Sequence, residues 1–291
     1  MRAVPESVGR VAFGPAKSLW LWGLIVATVV IGPSRETFVI AAALGLTFLT
    51  VCLGHSVGLH RGVIHRSYRM PRALRNALLY LFVQTGLGGP LSWILLHHVR
   101  DHWQNERDTP PYFAYRHSIA KDFWWNLHCA FHPRDVSLYG VHRSLFRDPW
   151  LRFLERTWFL HVIAFAVAVA LVFDPHVAAT VVLARAAITI LGHWFVGFVS
   201  HKHGEIRWDL AGSTEVGRNT LALGWLSFGE GFHNNHHAHP RSARMGFRWY
   251  ELDLGFAAVR ALEKLGAIRG VRAYGRTAPT RRANASLSTG P

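Results

Sequence analysis

Between Thr37 and Leu59 the chain runs for 23 residues without a formal charge. In hydrocarbon only a helix or a closed barrel satisfies its own backbone, and an α-helix of about 20 apolar residues matches the thickness of a bilayer core. Three further runs accompany this one. Residues 18–32 are apolar up to Pro33, Trp158 to Phe173 form another, and Val177 to Ser200 carry one formal charge, Arg185. The first and third are short and must borrow flanking residues. The expectation is an all-α, integral membrane helical bundle with about four transmembrane helices.

The connectors fit two hairpins. Gly32-Pro33-Ser34-Arg35-Glu36 joins the first pair of runs and Asp174-Pro175-His176 the second, and both are nearly neutral. Most Arg and Lys lie elsewhere: before Ser18, through most of 61–157, and after Lys202. The positive-inside rule places both termini and the long central segment in the cytoplasm. This implies a multi-pass protein, assigned to the bacterial inner membrane. Residues 103–157, with Trp124, Trp125 and Trp150 among basic residues, read as interfacial helices and loops. Residues 1–274 are expected to form one membrane domain. Residues 275–291, rich in Arg, Thr, Ala, Ser and Pro, are expected to be a disordered basic tail. No removable signal peptide is expected at the N-terminus.

A fifth apolar run, 76–96, is broken by Gln84, Gly86, Gly88, Gly89 and Pro90. Length alone would make it a span. The histidines argue otherwise, because they occur in three sets: His60 with His65; His97, His98 and His102; and His233, His236 and His237. If these share one site, the run must dip in and return, or lie against the bundle.

Composition narrows the function. Charged residues are only 17% of the chain, against about 25% in soluble domains. The net charge is +15, and 28 of the 32 basic residues are Arg. The apolar spans argue against nucleic acid as the partner, and anionic lipid headgroups or an anionic protein fit better. Cys52 and Cys129 lie far apart and form no CxxC motif, so they read as free buried thiols.

Neutral imidazole is the commonest side-chain ligand for transition metals. On a helix His233, His236 and His237 share a face, as do His98, Asp101 and His102, and also His97 and Asp101. His60 and His65 would stand roughly 140° apart on an α-helix, flanking a site rather than chelating one ion. Three sets near one membrane boundary point to a buried multi-histidine metal site, because ionisable groups there usually face the bundle interior. A histidine-rich metal transporter is the competing reading, but its ligands would be strung along a transmembrane path.

The motifs His60-Arg61…His65-Arg66-Ser67-Tyr68, His98…His102 with Asp108, and Gly229-Glu230-Gly231-Phe232-His233-Asn234-Asn235-His236-His237-Ala238 resemble those of the membrane fatty acid desaturase family, of the acyl-CoA desaturase type. The resemblance covers residues 20–255 and extends to His201. It implies a cytoplasmic histidine-box cap holding two iron ions. It also implies an oxygen-dependent enzyme that removes two hydrogens from a long acyl chain carried as acyl-CoA, acyl-carrier protein or acyl lipid. The implied ligands are His60, His65, His98, His102, His201, His233, His236 and His237. Asp101 stands where the family has another histidine, so the second box has Asp101, or His97 in its place, or one ligand fewer. Gly197 stands where the family often has an Asn. These departures leave open a di-iron hydroxylase or other lipid oxidase on the same scaffold. No haem or flavin segment is visible, so electrons would come from a separate ferredoxin, rubredoxin or cytochrome. Glu230, Asn234 and Asn235 are candidates to support the ligands. Arg185 is expected to snorkel toward the periplasmic interface.

Overall fold

The computed structural model describes residues 3–106, 108–210 and 215–274, and the expected tail at 275–291 lies outside the described residues. In chain order the principal elements are β1 (Gly9–Phe13), α1 (Pro15–Ile31), α2 (Thr37–Ile64), α3 (Arg72–Val83), α4 (Pro90–Gln104), α5 (Ile119–His128), β2 (Cys129–Pro133), α6 (Pro149–Val172), α7 (Pro175–Lys202), α8 (Leu221–Leu226), α9 (His233–Ala238) and α10 (Leu254–Lys264), with two single turns, Val136–Tyr139 and Arg143–Arg147, between β2 and α6. The fold is mostly helical, and β1 pairs with β2 in an antiparallel ribbon with Val11 opposite Phe131. Three helices, α2, α6 and α7, are long and apolar enough to cross a membrane; α1 is apolar but has 17 residues.

The long helices start where their sequence says they should. Asp148 caps α6 by accepting from the amides of Trp150 and Leu151, with Pro149 in the first turn. Asp174 caps α7 by accepting from the amide of His176, ahead of Pro175. A carboxylate at the cap satisfies amides that have no partner within the helix, and proline at the first position loses nothing. The third apolar run thus becomes α6 by recruiting residues from Pro149 onward.

The two connectors meet. His176 Nδ1 donates to the Gly32 carbonyl at 2.8 Å, and the Ser34 amide donates to the His176 carbonyl at 3.2 Å. α2 and α7 both start at this end of the bundle, so His60, His65 and His201 are carried together to the opposite end.

α3 and α4 form a hairpin inside the bundle. α3 runs antiparallel to α2 at very close range. A Cβ at Gly54 would sit 2.4 Å from the Phe82 nitrogen, and one at Gly58 would sit 2.6 Å from the Leu78 Cβ. Small residues spaced by four let two helix backbones approach this way. α4 then runs back along α2, with Trp93 against His55 (ring centroids 5.0 Å apart) and His97 against His60 (4.7 Å). The run 76–96 therefore turns around at 84–89 and brings the second histidine set back to the first.

That turn exposes helix-end carbonyls to an apolar interior, where each unmet polar group costs several kcal/mol. Arg185 meets one of them. Its guanidinium is buried and donates to the Gln84 carbonyl at 2.7 Å, to Thr50 Oγ1 at 2.9 Å and, through Nε, to the Val181 carbonyl at 2.8 Å. Trp20 Nε1 donates to the Gly86 carbonyl at 2.9 Å. Arg185 thus points inward rather than snorkelling, because the buried turn holds acceptors that sequence proximity does not reveal.

Leu59, Val63, Leu79, Phe82, Leu91, Ile94, Leu151 and Leu154 form a core where α2, α3, α4 and α6 meet. It lies directly against the histidine-bearing end.

Candidate metal centre

The histidines gather into two groups. His60, His65, His97 and His236 form one, and His201, His233 and His237 the other; within each, the donor atoms lie within 4.8 Å of one another.

The first group depends on how α2 is wound. From Phe48 to Ile64 it is π-helical, and the His65 amide donates to the His60 carbonyl at 3.0 Å. An i→i+5 bond stacks residues five apart instead of splaying them. The rings of His60 and His65 consequently lie 4.7 Å apart, with Nε2 atoms 3.0 Å apart. The flanking arrangement expected for an α-helix does not occur.

α9 serves both groups. Residues three and four after His233 differ by roughly 100° around the axis. His237 stays beside His233, with ring centroids 4.5 Å apart, and His236 reaches His65 at 4.5 Å. His201, near the end of α7, completes the second group, with its Nε2 3.1 Å from that of His233. The third set therefore does not point one way, as its spacing implied, but straddles the two groups.

The second box enters through His97. Leu91 and Ile94 face the core, and His97 continues their stripe along α4. Asp101, one turn further, places Oδ2 3.2 Å from His97 Nδ1. His98 and His102 occupy the neighbouring face and join neither group; the His102 ring packs on Trp103 and Tyr139, at 4.9 and 5.4 Å.

Carboxylates and amides brace the ligand-bearing segments. Glu230 Oε2 lies 2.6 Å from His60 Nδ1, and its other oxygen accepts from Ser56. A carboxylate behind a ligating histidine fixes the ring and raises its basicity. Arg61, fully buried, donates to the Ala243 carbonyl at 2.8 Å and pairs with Asp253 at 2.9 Å, tying α2 to the last loop and α10. Asn234 accepts from the amides of Arg207 and Trp208, and Asn235 donates to the Met245 carbonyl at 2.7 Å. Both Asn side chains anchor α9 itself.

The donor set suits metal ions. Burial pulls the imidazoles of His65, His233 and His236 well below their ordinary pKa, with neighbouring histidines adding to the effect. They are therefore neutral, the form that ligates. The facing Nε2 pairs, 3.0 Å apart at His60–His65 and 3.1 Å at His201–His233, are close enough for both rings of a pair to hold one cation. The Nδ1 atoms of His201 and His236 are buried with no partner. Burial pushes the Asp101 carboxyl up, but His97, His65 and His237 outweigh it and hold the group ionised, far below the usual carboxylate range.

A family model described as fatty acid desaturase matches residues 37–270. The chain belongs to that family. It is 31% identical over 237 residues to the sn-1 stearoyl-lipid 9-desaturase of Anabaena variabilis, covering 80% of this chain and 84% of the relative. It is 29% identical over 239 residues to an acyl-CoA 5-desaturase of Anemone leveillei, covering 79% and 71%. It is 28% identical over 253 residues to the sn-1 stearoyl-lipid 9-desaturase of a Synechocystis strain, covering 83% and 75%. This desaturase-family chain is accordingly an oxidoreductase of the lipid-modifying kind.

Tyr115 and Arg100 escaped the sequence reading. The Tyr115 ring stacks on His201 at 4.2 Å, and its hydroxyl lies 3.7 Å from where a Cβ on Gly197 would be. Arg100 donates to that hydroxyl at 2.8 Å. Tyr115 carries no spacing signal, because it reaches the site from an irregular loop. His193 and His55 pair in the bundle at 4.9 Å, both beside Trp93.

Proposed function

We propose that this chain is an oxygen-dependent di-iron fatty acyl desaturase that inserts a double bond into a long acyl chain. The observation that carries the reading is the pair of neighbouring imidazole groups at one end of an apolar bundle. One iron would be held by His60, His65, His97 and His236, and the other by His201, His233 and His237. Asp101 lies against His97 on the site-facing side of α4, where it can orient that ring or supply an oxygen ligand. Iron bound there would supply the oxidising power that an unactivated C–H bond requires.

The chain's own residues set the conditions. Glu230 orients His60, and Arg61 with Asp253 closes the last box over the end of α2. The apolar faces of α2, α7 and the α3–α4 hairpin offer a dry wall for the acyl chain, with Trp93, His55 and His193 nearest the first group. In this reading α1 is the fourth span, residues 1–274 form one membrane domain and 275–291 a disordered tail. The connectors face the periplasm and the histidine cap the cytoplasm of a bacterial inner membrane, consistent with the Arg-rich segments. Electrons come from a separate donor protein of ferredoxin, rubredoxin or cytochrome type. The named relatives act on acyl-CoA or on acyl lipids, so the carrier is of that class.

Mass spectrometry of lipids from a host with and without this protein tests the reading. The expected product is an acyl chain two hydrogens lighter, formed only with O2. An alcohol would move the chain to the hydroxylases, and an unchanged lipid profile with a competent donor present would overturn the proposal.

A further inference from the structure

Immediately beyond His65 the chain builds a cavity of about 570 Å³ lined by Arg66, Tyr68, Arg69, Arg269, Gly270 and Arg272. Four of its six lining residues are arginines and none is acidic. The backbone holds the charges together. The Arg69 amide donates to the Arg269 carbonyl at 2.8 Å and the Arg269 amide to the Arg69 carbonyl at 2.9 Å, an antiparallel pair with the two arginines directly opposite. The Arg272 amide donates to the Ser67 carbonyl at 2.9 Å, extending the pairing. Like charges facing each other across such a pair destabilise it. Arg66 adopts a left-handed backbone at φ 49°, uncommon for a residue with a side chain.

Elsewhere the arginines of this cap find carboxylates: Arg61 with Asp253, Arg75 with Asp148, Arg207 with Glu251 and Arg248 with Glu205. Among the described residues, no salt bridge involves Arg66, Arg69, Arg269 or Arg272. A concave site of this size is in the range of small-molecule pockets. Planar guanidinium forks match phosphate oxygens in pairs.

We propose that this pocket binds a phosphate-bearing group, the phosphoester of a soluble ligand or of a lipid headgroup. It lies beside the first histidine group, one residue past His65, so a bound phosphate would anchor a substrate's polar end close to the proposed iron site. That role rests on the desaturase reading; the binding itself does not.

The test uses the full-length, metal-loaded protein in phosphatidylcholine nanodiscs. Binding of adenosine 3′,5′-bisphosphate is measured by calorimetry. Retention of phosphatidylglycerol over phosphatidylcholine from mixed nanodiscs is measured by native mass spectrometry. The double variant Arg69→Gln/Arg269→Gln is compared with Arg10→Gln/Arg260→Gln, which removes the same charge outside the pocket. Loss of charge-assisted hydrogen bonds should weaken the ligand at least about tenfold in the first pair, and by less than about twofold in the second. Bisphosphate binding alone identifies a soluble phosphoester, and lipid retention alone identifies a headgroup. Failure of both probes to bind the parent protein, or equal weakening in the two double variants, overturns the site. Alkene formation is assayed separately. A protein that binds phosphate in this pocket but makes no alkene sinks the desaturase reading alone, and one that makes alkene without binding phosphate sinks the pocket alone.

Discussion

The two histidine groups are built differently. The first draws on α2, α4 and α9, and carboxylates stand behind two of its rings, Glu230 at His60 and Asp101 at His97. The second draws on α7 and α9 only, has three histidines, and is backed by the flat face of Tyr115. The first is therefore held from three directions with its ring orientations fixed. The second depends on α9 staying where Asn234 and Asn235 pin it. Since α9 contributes to both, whatever moves α9 is felt twice, whereas α4 gives a ring to the first group alone and touches the second only indirectly, through Arg100 on the Tyr115 hydroxyl and the Asp101 charge near His237.

The largest effect follows from removing a histidine of α9. His236→Ala should abolish product formation and lower bound metal from about two ions per chain to about one, measured by plasma mass spectrometry after iron-replete expression. His237→Ala should do the same through the other group. Helicity should persist in both, because apolar spans satisfy their own backbone. Full metal content in either variant would break the assignment of two groups.

A sharper contrast separates neighbours on α4. His97→Ala should cost one metal ion, while His98→Ala should leave the metal content at the parent value. If His98→Ala is the variant that loses metal, the second box enters by the other face and the first group is wrongly composed. Asp101→Ala should weaken metal retention and Asp101→His should restore part of it, since an imidazole can take the carboxylate's place near His97.

Those two neighbours show where the sequence was legible and where it was not. α2 announces itself by uninterrupted apolar length, α7 by a long run broken only by Arg185, α6 by a shorter run extended back to its Asp148–Pro149 cap, and the Gly86–Pro90 break marks a turn. Order and spacing of the boxes marked the family. The choice of His97 over His98 depends on the rotation of α4 about its axis, set by the burial of Leu91 and Ile94. The approach of His60 to His65 depends on π winding, which no residue pattern in 48–64 marks. Arg185 was misplaced because its distant acceptors, Thr50 and the Gln84 carbonyl, lie 135 and 101 residues earlier in the chain.

Smaller effects test the bracing. Glu230→Gln should weaken metal binding by about 10–100-fold, the usual range for a carboxylate behind a ligating histidine, and the loss should fall on the first group's metal. Equal loss from both groups would mean that Glu230 supports α9 instead. Gly54→Ala places a methyl against the Phe82 backbone and should destabilise the α2–α3 contact by about 1–3 kcal/mol, read as a lower unfolding temperature in detergent. An unchanged temperature would show that the helices can part without cost.

The smallest effect is one of pH. Burial pushes the Glu251 carboxyl up, but Arg207 and the amides of Arg248 and Phe247 more than offset it, leaving the folded pKa below the ordinary 4.5. A carboxyl depressed in the folded state adds stability above its unfolded pKa and loses it as pH falls through the folded value. The unfolding temperature should therefore drop as pH falls below about 4.5, and Glu251→Gln should flatten that part of the curve. Glu251 accepts from Asn235 Nδ2 on α9 at 3.2 Å, and an identical pH profile in the variant would remove it from the contacts that hold α9.

The placement of Arg185 has a consequence for how the molecule is made. The α3–α4 hairpin leaves the ribosome about a hundred residues before the guanidinium that serves its buried turn. Until α7 is synthesised, the Gln84 carbonyl lacks that donor. The hairpin should therefore reach its final depth only once α7 is in place, bringing the second histidine set to the first late in biogenesis. Chains truncated before Arg185 should expose the hairpin to protease, while α1 and α2 are already inserted.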